Sequence, residues 1–153
     1  MTQPTPSQPQ IQVVGAVLCD DLAAPTRFLA ARRSYPPELA GLWEFPGGKV
    51  DPGETREAAL LRELTEELDI EGTLGAQIFG PEAEGAWRTS PRHLMSVWWA
   101  VTSGSSRSAQ SARELRPLGS HDALAWVGRD DAFDLPWLPG DLPVVKEVVA
   151  NLK

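Results

Sequence analysis

The segment TREAALLRELTEELDI, residues 55–70, constrains the fold more than any other part of this chain. It is built from helix-forming residues and contains neither Gly nor Pro. With Glu63 set at zero and roughly 100° per residue, Leu60, Leu61, Leu64 and Leu68 fall at roughly +60° to +160°. That stripe has to be buried. Glu66, Glu63 and Glu67 fall at roughly −60°, 0° and +40°, on one face beside the stripe, while Asp69 lies near roughly −120°. Like charges at these spacings destabilise a helix by about 0.2–0.5 kcal/mol per pair. Arg62 offsets only part of that. A hard divalent cation, which takes oxygen ligands, would reverse the sign. The alternative is a solvated acidic face.

The residues before the helix favour the cation. FPGGK places Gly47 and Gly48 where backbone must turn sharply or approach a ligand closely. A carbonyl there can add an oxygen donor, and Glu54 stands just ahead of the helix. SYPPELAGLWEFPGGKVDPGE, residues 34–54, is dense in Pro and Gly and predicts a long shaped loop with a short strand near Leu42–Phe45. Long loops inside compact domains usually carry function.

Strands are expected over IQVVGAVLCD (11–20), RFLAARR (27–33), TLGAQIFG (73–80), HLMSVWWAVT (93–102), ARELRPL and ALAWVG. PEAEGAWRTSPR reads as a loop, SGSSRSAQSA (103–112) as a mobile hairpin tip, and RDDAFDL as a short helix. DLPVVKEVVANLK reads as a closing amphipathic helix. No βαβα rhythm appears, so the expected class is α+β, an α/β/α sandwich with a mixed sheet. Residues 1–10 are Pro- and Gln-rich and are expected to be a disordered tail before a single domain, 11–153.

Charge and cysteine narrow the function. A net charge of −7 argues against a nucleic-acid polymer as partner. No apolar run approaches a membrane span. A single cysteine, Cys19, and the lack of a signal-peptide pattern point to the cytoplasm. There is no GxSxG elbow, no Walker A sequence and no zinc-type Cys/His spacing. The two histidines, His93 and His121, are too scattered to suggest a histidine metal site.

GKVDPGETREAALLRELTEELDI resembles a Nudix box. Gly48, Glu54, Arg62, Glu63, Leu64, Glu66, Glu67 and Ile70 match the family pattern at its spacings. Asp69 departs from it, standing where the family has a helix-ending Gly; a small stability cost with retained activity is expected. RRSYPPELAGLWEFPGGK, HDALAWV and the WLPGD stretch are similar to the MutT-like and CTP pyrophosphohydrolase-like subgroup.

The resemblance implies a Nudix sandwich and Mg²⁺-dependent hydrolysis, with Mn²⁺ as an alternative ion. The implied reaction takes a nucleoside triphosphate and water to the monophosphate and pyrophosphate. CTP-type or oxidised guanine nucleotides, such as 8-oxo-dGTP, are the expected substrates. A dinucleotide or nucleotide sugar, or a non-catalytic nucleotide-binding module, are the alternatives. A monomer or homodimer is expected.

By the same resemblance Glu63, Glu66, Glu67 and the Gly47 carbonyl are the metal ligands, and Arg62 orients the glutamates. Glu54 stands behind the ligands or holds a bound water, and Glu63 is the favoured general base. Arg33 is expected on the substrate phosphates, with Arg32 as its competitor. Glu44, Phe45, Pro46 and Gly47 match the stretch lining the nucleotide site, although Trp43 and Phe45 read more readily as core anchors. Asp141 either reads the base or caps the last helix. Trp137 either stacks on the base or belongs to the core. A late carboxylate usual before the strand carrying Trp126 has no obvious counterpart; Ser120, His121 and Asp122 stand there.

Overall fold

The structure is a computed structural model that describes residues 10–102 and 120–153. The expectations for the tail, the Ser-rich hairpin tip and the ARELRPL strand fall essentially outside those residues. In chain order the elements are β1 (Ile11–Leu18), β2 (Arg27–Arg33), β3 (Trp43–Glu44), β4 (Gly47–Lys49) and α1 (Arg56–Leu68). They continue with β5 (Gly72–Ile78), β6 (Trp87–Arg88), β7 (His93–Thr102), β8 (His121–Gly128) and α2 (Leu142–Ala150).

β4, β1, β7 and β5 form a mixed sheet in that order, with β6 on β7; β1 and β7 run parallel and the other pairs antiparallel. β3, β2 and β8 form an antiparallel sheet. Strand residues alternate between two cores, as the two-residue period of a strand requires. Val14, Ala16 and Leu18 of β1 pack with Leu60, Leu64 and Leu68 of α1. Val17 of β1 and Phe28 and Ala30 of β2 pack with Val144, Val145 and Val148 of α2. The result is the expected α/β/α sandwich.

The short strands β4 and β6 lie in segments read as loops from sequence. Two or three residues carry no alternation signal, so only pairing to β1 and β7 defines them. RDDAFDL shortens to a single 3₁₀ turn at Ala132–Asp134.

Helix α1 starts where Thr55 accepts a hydrogen bond from the Ala58 N–H at 3.1 Å, a side-chain N-cap. It ends at Asp69, whose φ of 55° and ψ of 44° are left-handed, with its N–H donated to the Thr65 carbonyl. The helix buries Ala59, Leu60, Leu64 and Leu68. Leu61 sits at the outer edge of the expected stripe and is exposed. The buried arc therefore runs from Ala59 to Leu68 and contains the positions of Glu63 and Glu67.

Candidate active site

Helix α1 lies over β1 and β4. In the β1–β4 ladder Gly47 faces Gly15 and Gly48 faces Val14. A Cβ built on Gly48 would lie 2.4 Å from the carboxyl carbon of Glu63 and 2.5 and 2.6 Å from its oxygens. The missing side chain is the room in which that carboxylate sits. Gly47 answers a different demand: its Cβ would lie 1.9 Å from the Val14 carbonyl oxygen. The Gly47 N–H donates to Glu67 Oε1 at 2.8 Å. The glycines thus let two charged side chains point inward. Glu63 and Glu67 side chains are 15% and 13% exposed, whereas Glu66 is 58% exposed. Geometry on an ideal helix groups all three; packing against β4 separates Glu66 from the other two.

Arg62 gathers the carboxylates. It grips Glu54 through two hydrogen bonds, Nε to Oε2 at 2.8 Å and Nη2 to Oε1 at 3.0 Å. Nη1 donates to Glu63 Oε1 at 3.0 Å and to Glu66 Oε2 at 3.2 Å, and Nη2 donates to the Lys49 carbonyl at 3.0 Å. Asp51 adds an ion pair at 3.4 Å, and its N–H donates to Glu54 Oε1 at 3.0 Å. The Arg62 bonds pull Glu54 down to about 2. Glu54 in turn holds Arg62 well above the ordinary guanidinium range. Burial and the neighbouring charge of Glu67 raise Glu63, and Arg62 opposes that rise.

A second polar group adjoins the first. A bulge between Arg32 and Arg33 shifts the β2–β8 register, so that Arg32 pairs with Ala123 but Arg33 pairs with His121. An unbroken ladder would set Asp122 opposite Arg33. The bulge instead turns His121 toward α1 and leaves Asp122 outside, ion-paired to Arg32 at 2.8 Å. His121 Nε2 lies 2.8 Å from Glu44 Oε2. Its Nδ1 is 3.1 Å from Glu67 Oε2, within ion-pair range though outside hydrogen-bond alignment. Burial disfavours charge on the His121 ring, but Glu44 and Glu67 outweigh it and raise the group to about 9. Arg33 Nη1 donates to the same Glu44 oxygen at 2.9 Å, and its Nε donates to the Tyr35 carbonyl. Arg33, not Arg32, therefore joins the site.

The C-terminal segment closes the same wall. The Trp43 N–H donates to the Pro136 carbonyl and the Leu138 N–H to the Trp43 carbonyl, both at 2.9 Å. This stitching carries Asp141 to Glu44, Phe45 and Arg33. Asp141 precedes α2 but makes no side-chain capping bond, so its capping alternative fails. It is 6% exposed. Burial, reinforced by the charge of Glu44, pushes it up to about 7 against the pull of the Phe45 backbone and Arg33.

Phe45 and Pro46 also lie in this wall, but their side chains are buried. Phe45 stacks among Phe28 and Trp137, with centroids 5.9 and 5.4 Å away. Only the backbone of these two residues faces any ligand role. Trp137 is likewise core, with its Nε1 donating to the Ala132 carbonyl at 2.7 Å.

Among the described residues no three His, Cys, Asp or Glu side chains are already gathered as a metal cluster. Arg62 draws Glu63 and Glu66, and Gly47 draws Glu67. The donor chemistry nevertheless fits a hard divalent cation: three glutamates on adjoining turns beside a glycine backbone, with the charges of Glu67 and Glu66 close enough to help raise Glu63. Sequence reasoning missed His121 as a member of the site. Its only signal was its place beside the unassigned late carboxylate.

Comparison with known proteins adds a family model, two relatives and two solved structures. The model of the NUDIX domain matches residues 9–148. The chain is 35% identical over 140 residues to a CTP pyrophosphohydrolase of Escherichia coli, covering 92% of each. It is 36% identical over 146 residues to a putative 8-oxo-dGTP diphosphatase 2 of Mycobacterium tuberculosis, covering 94% of this chain and 90% of that one. Among solved structures, the E. coli ORF135 protein superposes with a TM-score of 0.72 at 33% identity, covering 97% of this chain and 94% of that one. A MutT NUDIX hydrolase from Burkholderia pseudomallei gives 0.64 at 31%, covering 92% and 98%.

Proposed function

This chain belongs to the NUDIX family and is a Nudix hydrolase, and on that premise we propose that it converts nucleoside triphosphates to monophosphate and pyrophosphate. The observation that carries this reading is the half-buried pair Glu63 and Glu67, seated on Gly47 and Gly48 at one end of a wall that holds the buried Asp141 at the other. Glu63, Glu66, Glu67 and the Gly47 carbonyl are the groups that would hold Mg²⁺, or Mn²⁺ in its place. When bound, such an ion shields the phosphates and makes water a stronger nucleophile.

The chain's own residues do the rest. Arg62 fixes Glu63 by its Oε1, which leaves Oε2 to accept the proton of the attacking water. Burial makes Glu63 a better base than an exposed glutamate. Glu54 clamps Arg62 from behind. Arg33 supplies positive charge at the nucleotide end. Asp141, pushed up to about 7, can accept from an amino group as a carboxylate or donate as an acid. That suits the Watson–Crick edge of cytosine or the edge of an oxidised guanine. The relatives named for CTP and 8-oxo-dGTP support the same two bases.

A cytoplasmic setting fits the lone cysteine, and no helix among the described residues is long and apolar enough to cross a membrane. The test is release of pyrophosphate from CTP, dCTP, methylated dCTP, dGTP and 8-oxo-dGTP with Mg²⁺. Turnover of at least one, lost in Glu67→Gln, is expected. No turnover of any triphosphate, or release of two monophosphates from a dinucleotide in preference, would overturn the reading.

A further inference from the structure

We propose that His121 is a positioning residue that ties the nucleotide end of the site to its metal end, by holding Glu44 with one ring nitrogen and Glu67 with the other. The proposal rests on the reading of Glu67 as a metal ligand. The His121 side chain is only 1% exposed, yet both of its ring nitrogens face carboxylates: Nε2 makes a hydrogen bond with Glu44 at 2.8 Å, and Nδ1 stands in ion-pair range of Glu67 at 3.1 Å, outside hydrogen-bond alignment. A buried histidine serving only the core would more simply meet a backbone carbonyl. Both partners here already belong to the site, and each is held a second time. Glu44 Oε2 also accepts from Arg33, and Glu67 Oε1 also accepts from the Gly47 N–H. The contacts form one line: Arg33, Glu44, His121, Glu67, Gly47.

A planar ring of fixed width sets the separation of two carboxylates in a way no flexible side chain can. Partners behind a metal ligand fix its orientation, and their loss typically costs roughly 10–100-fold in metal affinity or activity. The bulge at Arg32/Arg33 is what aims His121 into this line, so backbone irregularity and bridge are parts of one device.

Two substitutions cut the bridge at different ends. In His121→Gln the amide reaches the place of Nε2 and keeps Glu44 while releasing Glu67. In His121→Asn the amide takes the place of Nδ1 and keeps Glu67 while releasing Glu44. Mn²⁺ binding without nucleotide, followed by electron paramagnetic resonance, is expected to weaken about tenfold or more in His121→Gln and to change little in His121→Asn. KM for the preferred triphosphate is expected to rise in His121→Asn beyond any fall in kcat. Both variants are assayed below their melting temperatures, and Glu44→Gln cuts the same end as His121→Asn without altering the ring. Mn²⁺ binding should likewise change little in Glu44→Gln, while KM rises.

Equal effects of the two His121 variants on Mn²⁺ binding and KM would reduce His121 to a structural residue and overturn the proposal. So would Mn²⁺ binding weakened as much in Glu44→Gln as in His121→Gln. Glu67→Gln separates the two failures. If it retains Mn²⁺ affinity, the metal reading falls together with the bridge. If it loses that affinity while His121→Gln keeps it, the bridge alone falls.

Discussion

Gly47→Ala and Gly48→Ala differ from each other by one position, yet they should fail in opposite ways. At Gly47 the added Cβ meets the Val14 carbonyl oxygen at 1.9 Å, its carbon at 2.8 Å and the Gly15 Cα at 2.9 Å. All three are backbone atoms of the paired strand and cannot move without breaking the β1–β4 ladder. Overpacking of a rigid site costs typically about 1–3 kcal/mol, occasionally more. Gly47→Ala should sit at or above that upper end, lowering Tm by roughly 6–12 °C for a chain of this size.

At Gly48 the three atoms nearest the added Cβ all belong to the Glu63 carboxylate, the far end of a flexible side chain. Glu63 can swing away at the cost of a poorer rotamer, about 0.5–1.5 kcal/mol. Displacing a reacting group by about 1 Å is enough to cost about 10²-fold in rate. Gly48→Ala should therefore stay folded within a few degrees of the parent and lose kcat about a hundredfold. Thermal melts with steady-state kinetics on both variants decide the matter. A Gly48→Ala variant with parental kcat would show that the Glu63 placement is not what the glycine protects. A Gly47→Ala variant with parental Tm would refute the backbone argument.

Asp69→Gly should stabilise the fold by about 1 kcal/mol, because the left-handed φ of 55° strains any side chain there. Activity should not change; an unchanged or lowered Tm would contradict this. Asp141 gives a pH signature. Its folded value of about 7 exceeds the unfolded 3.8, so between them the folded chain keeps a proton the unfolded chain has lost. Its contribution to stability therefore falls as pH rises through that window. Asp141→Asn should remove that fall, and urea melts across the window that run parallel for variant and parent would sink the assignment. Cys19 is 4% exposed, and burial pushes its thiol up to about 11. Dithionitrobenzoate should react slowly with the native protein and fully after denaturation; rapid native labelling would contradict the buried placement.

Local pattern carried a great deal. β2 stands at Arg27–Arg33 as read from its place after a Pro-containing turn, and β7 at His93–Thr102 as read from its apolar run. The extent of α1 followed from capping and periodicity. β4 and β6 stayed invisible because a strand of two or three residues exists only through its partner. Leu61 was assigned to the core because helical angles do not say how wide an arc the sheet covers.

By itself the sequence determined the acidic helix, the paired glycines before it and the place of Glu54 just ahead of it. These lie within about twenty residues of one another, where spacing dictates contact. Tertiary structure alone decided which glutamates turn inward, that Asp141 faces Glu44 rather than capping α2, that Trp137 is core, and that His121 stands between Glu44 and Glu67. Each of those outcomes depends on a distant backbone: the β1–β4 ladder, the strand-like stitching of Trp43 to Pro136 and Leu138, and a bulge that shifts one strand against another. A one-residue shift of register moves a side chain to the other face of a sheet, and no local pattern in residues 120–122 records which way it went.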